Sequence, residues 1–154
     1  SGSVGDCAFV RTHAALRAGQ YFPLEALLHA YRCGHKVFAR RLLELAAKAA
    51  GMNDWQWREE SQALAHYNTA MACFYRDYAG DAITWNPADD DGDGARMEAS
   101  ISLDVYWDND AVCIWRSDIR IHCWEYFDKH NGDKQAARRA ASLRAAAAIG
   151  EAMP

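Results

Sequence analysis

Residues 100–107 read Ser-Ile-Ser-Leu-Asp-Val-Tyr-Trp, with Ile101, Leu103, Val105 and Trp107 at every second position. That is the period of a strand with one face buried and one face in water. The run decides the fold, because the chain before residue 80 repeats at a helical period instead. Asp108-Asn109-Asp110 reads as a turn, Val112 and Ile114 as a second strand, and Ile119, Ile121 and Cys123 as a third, after a further turn at Arg116-Ser117-Asp118. A meander of two or three antiparallel strands is only marginally stable alone, so it must lean on helices.

Working outward, the N-terminal half predicts four helices. Asp6 caps the first, which carries Phe9, Val10 and Leu16 and stops at Gly19. Pro23 opens the second, with Leu24, Leu27, Leu28 and Tyr31 at i, i+3, i+4, i+7 and Gly34 at its end. The third runs over about 35–50, burying Phe38, Leu42, Leu45 and Ala49, with Gly51 beyond it. Asn53 and Gln56 then resemble a loose capping box. The fourth helix carries Leu64, Tyr67, Met71, Phe74 and Tyr78 on one stripe, closed by Gly80. After the meander an Ala-rich helix spans Asp133 to Ile149 and ends at Gly150. The expected class is α+β with segregated elements, one globular domain over 4–154. Ser1-Gly2-Ser3 is read as a tag scar and 86–96 as an acidic surface loop.

With 51% hydrophobic and 25% charged residues among 154, the composition excludes a disordered tail and a collagen-like fibre. No apolar run approaches the roughly 20 residues of a membrane span, and no signal peptide is visible. Five cysteines are an odd number without a Cys-x-x-Cys pair, which points to free, core-packed thiols in a reducing compartment and a cytoplasmic protein.

The charge is divided. Residues 77–110 hold ten acids and one base, Arg96, for a net −9, while the rest of the chain holds 11 acids against 16 bases. Within this tract Asp89-x-Asp91-x-Asp93-Gly94 matches the first half of an EF-hand loop, with oxygen ligands at positions 1, 3 and 5 and glycine at 6. The closing position 12 is Ser100 rather than Glu, and the nearest acid is Glu98. Asp89, Asp91 and Asp93 are therefore the candidate metal ligands, and a solvated loop is the alternative. The carboxylates can also imitate nucleic-acid phosphates and dock on a basic groove. On that reading Asp89, Asp90, Asp91, Asp93, Asp104, Asp108 and Asp110, with the nearby aromatics Trp85 and Tyr106, form a partner-binding surface.

Catalytic signatures are missing. The six histidines (His13, His29, His35, His66, His122 and His130) form no His-Glu-x-x-His helix, and there is no phosphate-binding loop or Gly-x-Ser-x-Gly. The reading is of a non-enzyme without a cofactor. On the meander Trp107 is expected in the core. The opposite face, with Trp115, Arg120, His122 and Trp124, is either covered by a helix or offered to a partner, and covering is expected. On the last helix Lys134, Arg138 and Arg139 are read as solvated side chains over a packing face.

By size, Arg- and Ala-rich composition, the acidic stretch Asp77 to Asp110 and the lack of catalytic motifs, the chain resembles small accessory proteins of phages and mobile elements, the anti-CRISPR inhibitors. The resemblance implies a non-enzymatic inhibitor that occludes a basic, nucleic-acid-handling protein complex, binding neither nucleic acid nor membrane directly. The rival expectations are a metal-dependent enzyme or calcium-binding module using the Asp89–Asp93 loop, and a phage structural or toxin–antitoxin component. Oligomeric state is left open.

Overall fold

The computed structural model describes residues 36–58, 73–78 and 81–154. Among these residues the order is helix α1 (Lys36–Ala49), strands β1 (Gln56–Arg58), β2 (Cys73–Tyr78) and β3 (Asp81–Trp85), helix α2 (Asp91–Ile101), strands β4 (Asp104–Trp107), β5 (Ala111–Arg116) and β6 (Ile121–Tyr126), and helix α3 (Lys134–Ala152). Short 3-10 turns at Ser117–Ile119 and Phe127–His130 join β5 to β6 and β6 to α3. Two three-stranded antiparallel sheets result, ordered β1-β2-β3 and β4-β5-β6.

Helix α1 takes the place of the third expected helix. The first two expected helices lie outside the described residues. Of the fourth, residues 59–72 lie outside the described residues, and the parts that are described are not helical. Gln56–Arg58 and Cys73–Tyr78 are strands, paired Gln56↔Tyr75 and Trp57↔Phe74, and β2 pairs in turn with β3 through Phe74↔Trp85 and Tyr78↔Asp81. The apolar stripe through Phe74 and Tyr78 fits a helical period, but the run Cys-Phe-Tyr-Arg-Asp-Tyr is rich in aromatics that suit a pleated surface. Cross-strand partners decide between these readings, and they are remote in sequence.

The expected acidic loop is also corrected: residues 91–101 are helical. Too much like charge and two glycines argue against regular structure only while the helix end is ignored. Asp90 caps α2, its carboxylate accepting from the Asp93 N–H at 2.7 Å, and Asp91 and Asp93 fall in the first turn. There the unpaired N–H groups and the positive end of the helix dipole favour anions. Replacing Asp90 with Ala should lower stability by about 1 kcal/mol in a denaturant titration; no change would mean that water satisfies the first turn equally well. At the other end Ser102 adopts φ 58°, and the Leu103 N–H reaches the Glu98 carbonyl at 2.9 Å. This left-handed cap ends the helix at Ile101 and starts β4 at Asp104, so the strand is shorter than the alternation of residues 100–107 suggested.

Helix α3 is the centre of the packing. It lies against α1, α2 and the sheet face of β5 and β6. Ala137, Ala141, Ala145, Ala146 and Leu143 are buried on it, opposite Leu42, Leu45 and Ala46 of α1 and Val112, Ile114 and Cys123 of the sheet. Alanine lets the helix axes approach closely. Gly150 does so most of all, since a Cβ there would stand 1.9 Å from the Leu45 carbonyl oxygen. The sequence marked Gly150 as a helix stop; the helix passes through it to Ala152. Trp107, expected in the core, stands at the corner of the sheet, 41% exposed with its ring 6.1 Å from that of Phe127.

Candidate protein-docking surface

The acids of residues 77–110 divide by what they touch. Around the start of α2 they are engaged within the chain. Asp93 is buried, accepts from the Asn86 N–H at 2.8 Å and pairs with Arg96 at 2.6 Å. Asp91 pairs with Arg139 at 2.5 Å, and Arg139 also donates to the Ala88 carbonyl. The exposed Asp89 accepts from the Asn86 side chain at 3.0 Å. Trp85 is buried at the end of β3. These contacts tie the start of α2 to α3. Asp91 and Asp93, two of the three candidate metal ligands, face arginines, and among the described residues no group of three or more His, Cys, Asp or Glu side chains is arranged to hold a metal ion.

Asp104, Asp108 and Asp110 are different. They are exposed, at the start and end of β4 and in the turn after it, and none has an ion pair among the described residues. Tyr106, 54% exposed, lies between Asp104 and Asp108. The register places Tyr106, Cys113 and Trp124 in one row across β4, β5 and β6, with Asp104, Trp115 and His122 in the next. This is the face of the second sheet away from α3, and it is not covered: Trp115 is 36%, Trp124 42% and Tyr126 46% exposed. The rings order one another. Tyr106 and Trp124 meet edge to face at 6.2 Å across Cys113, and Trp115 meets His122 in the same way at 6.2 Å. The sequence placed Trp115, His122 and Trp124 together on one face, as found, but expected a helix over it. All the described helices that pack on the sheet take its other side, because that side carries Val112, Ile114 and Cys123.

Beneath the Tyr106–Trp124 pair Cys113 is a buried free thiol, and burial pushes its pKa up. Cys123 is also a buried thiol outside any disulfide, but faces the helices. Trimming the cover with Trp124→Ala should speed alkylation of Cys113 several-fold at pH 8; an unchanged rate would show that the indole does not shield it.

Two further polar pairs lie inside, and no local pattern of residues marks either. Glu98 is buried, takes two bonds from Arg138 at 3.0 and 2.5 Å, and accepts from the Ser142 hydroxyl. The Glu98 contact holds the Arg138 guanidinium pKa above its ordinary value. Glu125, 1% exposed, meets His130 Nε2 at 2.9 Å. Arg138 and Arg139 of α3, expected in solvent, are thus directed to carboxylates. An i, i+4 pattern on one helix cannot show which residues stand opposite.

A protein-family search matches residues 2–84 to the RsbT co-antagonist protein rsbRD N-terminal domain. That is more than half of the chain. The chain belongs to the RsbT co-antagonist rsbRD N-terminal domain family. No curated protein matches, and no solved structure does. Membership overturns the resemblance to anti-CRISPR inhibitors and the phage and mobile-element assignment with it. Size, composition and an acidic stretch are shared by unrelated proteins, whereas a family model scores residues in order. Occlusion of a nucleic-acid-handling complex and a phage structural role fall for the same reason. Of the described elements α1 to β2, and β3 as far as Thr84, lie within the rsbRD match; α2, the second sheet and α3 lie beyond it. No helix among the described residues is long and apolar enough to cross a membrane.

Proposed function

We propose that this chain is a regulatory module of a bacterial stress-signalling pathway that works without catalysis, by binding protein partners in the antagonism of RsbT. The family match over residues 2–84 carries the proposal. The structure supports it with a polar surface whose exposed acids, Asp108 and Asp110, have no internal cation. Such carboxylates attract a basic partner over distance and raise its association rate. Asp89 and Asp90, exposed at the start of α2, add to the same field. Asp91 and Asp93, tied to arginines, contribute less.

The experiment is binding of the purified chain to RsbT from the same organism at 50 and 300 mM salt. Binding should be tighter at low salt, and Asp108→Lys with Asp110→Lys should slow association roughly tenfold there, leaving dissociation little changed. Absence of binding at either salt would remove RsbT from the account. Binding that ignores the double reversal would remove the acids.

A further inference from the structure

The connection from β6 to α3 carries the dipeptide Asn131-Gly132, and both residues are left-handed, with φ of 52° and 81°. Glycine and asparagine accept this conformation at least cost, so the turn selects the pair. The same pair is chemically labile, because a glycine amide nitrogen, shielded by no side chain of its own, can attack the carboxamide that precedes it. Both residues are exposed, and a Cβ on Gly132 would meet nothing within 4 Å.

The fold holds this attack off in two ways. The Gly132 N–H donates to the Phe127 carbonyl at 2.8 Å, which engages the nitrogen. Asn131 has ψ 32°, and closing a five-membered ring requires that angle to swing away. Both restraints depend on the 3-10 turn Phe127–His130, whose Asp128 and Lys129 are exposed. The far end of the turn is fixed at His130. Its Nε2 meets the buried Glu125 at 2.9 Å, and its carbonyl accepts from the Asp133 N–H at 2.9 Å.

We propose that Asn131 is a site of covalent modification by water, gated by the His130–Glu125 contact. When the turn opens, the Gly132 nitrogen gives up its proton to solvent and bonds to Asn131 Cγ. The Cγ–Nδ2 bond breaks, and the amide nitrogen takes a proton from solvent and leaves as ammonia. Water then adds to one carbonyl of the succinimide and opens the ring. The product is aspartate or, where the chain now runs through the side chain, isoaspartate. The net reaction is a hydrolysis and consumes only water. Isoaspartate adds a carbon to the backbone between Asn131 and Gly132, inside the loop that the Gly132–Phe127 hydrogen bond closes. That bond and the Asp133 cap, whose carboxylate accepts from the Ala136 N–H at 3.0 Å, cannot both be kept, so modification loosens the start of α3. Its rate in the folded chain is the rate in open chain multiplied by the fraction of time the turn is open.

This inference goes beyond the RsbT reading, and its residues lie outside the family match. Its test contains no RsbT, so the two can fail separately. The whole chain is incubated at pH 8, folded or in guanidinium chloride, then digested. Mass spectrometry follows the peptide carrying residues 131–132 as its amide becomes an acid, and enzymatic methylation scores isoaspartate. The folded chain should react more slowly than the denatured one, by on the order of tenfold or more. His130→Ala, which removes the clasp, should raise the folded rate several-fold, and His130→Gln, whose amide still reaches Glu125, should restore much of the protection. Circular dichroism checks that each variant is folded. If His130→Ala does not fold, Glu125→Gln weakens the same contact and should act in the same direction. A folded chain that reacts as fast as the denatured one overturns the proposal. So does a folded clasp variant that reacts no faster than the wild type, whether both react or neither does.

Discussion

Gly150→Ala should destabilise the protein by about 2 kcal/mol or more, although the same change in an exposed helix interior stabilises by roughly 1 kcal/mol. The reason is the contact between α1 and α3. The added methyl would sit 1.9 Å from the Leu45 carbonyl oxygen and 2.7 Å from its carbon. Both atoms are backbone inside a helix, so neither can swing aside. The helices must separate, loosening Leu42, Leu43 and Leu45 against the alanines of α3, or the end of α3 must unwind past Ile149 and release the Lys48 contact to Met153. Overpacking of this kind commonly costs about 1–3 kcal/mol and outweighs the propensity gain. Gly94→Ala is the control. It is also helical, its Cβ would meet Pro87 and Arg139 only at 3.7 and 3.9 Å, and it should be neutral or stabilising by up to about 1 kcal/mol. Parallel thermal melts decide the matter. Equal effects at the two glycines would show that α1 and α3 do not approach as closely as described.

Arg138→Met should cost about 3 kcal/mol and lower the melting temperature by roughly 6–12 °C. It removes both guanidinium bonds from Glu98, whose side chain is 6% exposed, and leaves Ser142 as its remaining recorded partner. A carboxylate buried without its cation is the costly state; the pair itself adds little over a neutral replacement. Glu98→Gln combined with Arg138→Met should therefore recover most of the loss, since the amide still accepts from Ser142. A single variant that costs under about 1 kcal/mol would show that water reaches Glu98 and screens it. A double variant no better than the single would show that the arginine acts through its packing instead.

The α+β class, the three strands between residues 104 and 126 and the Ala-rich C-terminal helix were legible in the sequence because each rests on a local period. The helix at 91–101 was hidden by its own capping. Aspartates and glycines read as a loop until the helix end they stabilise is in view, and their arginine partners are Arg96 nearby and Arg139, 48 residues after Asp91. Strand β2 was hidden by an aromatic run that fits two periods. The candidate surface was half legible. Tyr106, Asp104, Asp108 and Asp110 were singled out for charge and aromaticity, whereas the open ring face emerged only once α3 was seen to take the other side of the sheet.

The sequence by itself determined where the periods change, which residues carry charge, and the family to which residues 2–84 belong, since all three depend on the order of residues along the chain. Only the tertiary structure decided which acids are engaged. Asp91, Asp93 and Glu98 face arginines, while Asp104, Asp108 and Asp110 face solvent. The difference is physical: a carboxylate's role is set by the charge a few ångströms away, and in a folded chain that charge belongs mostly to residues tens of positions distant.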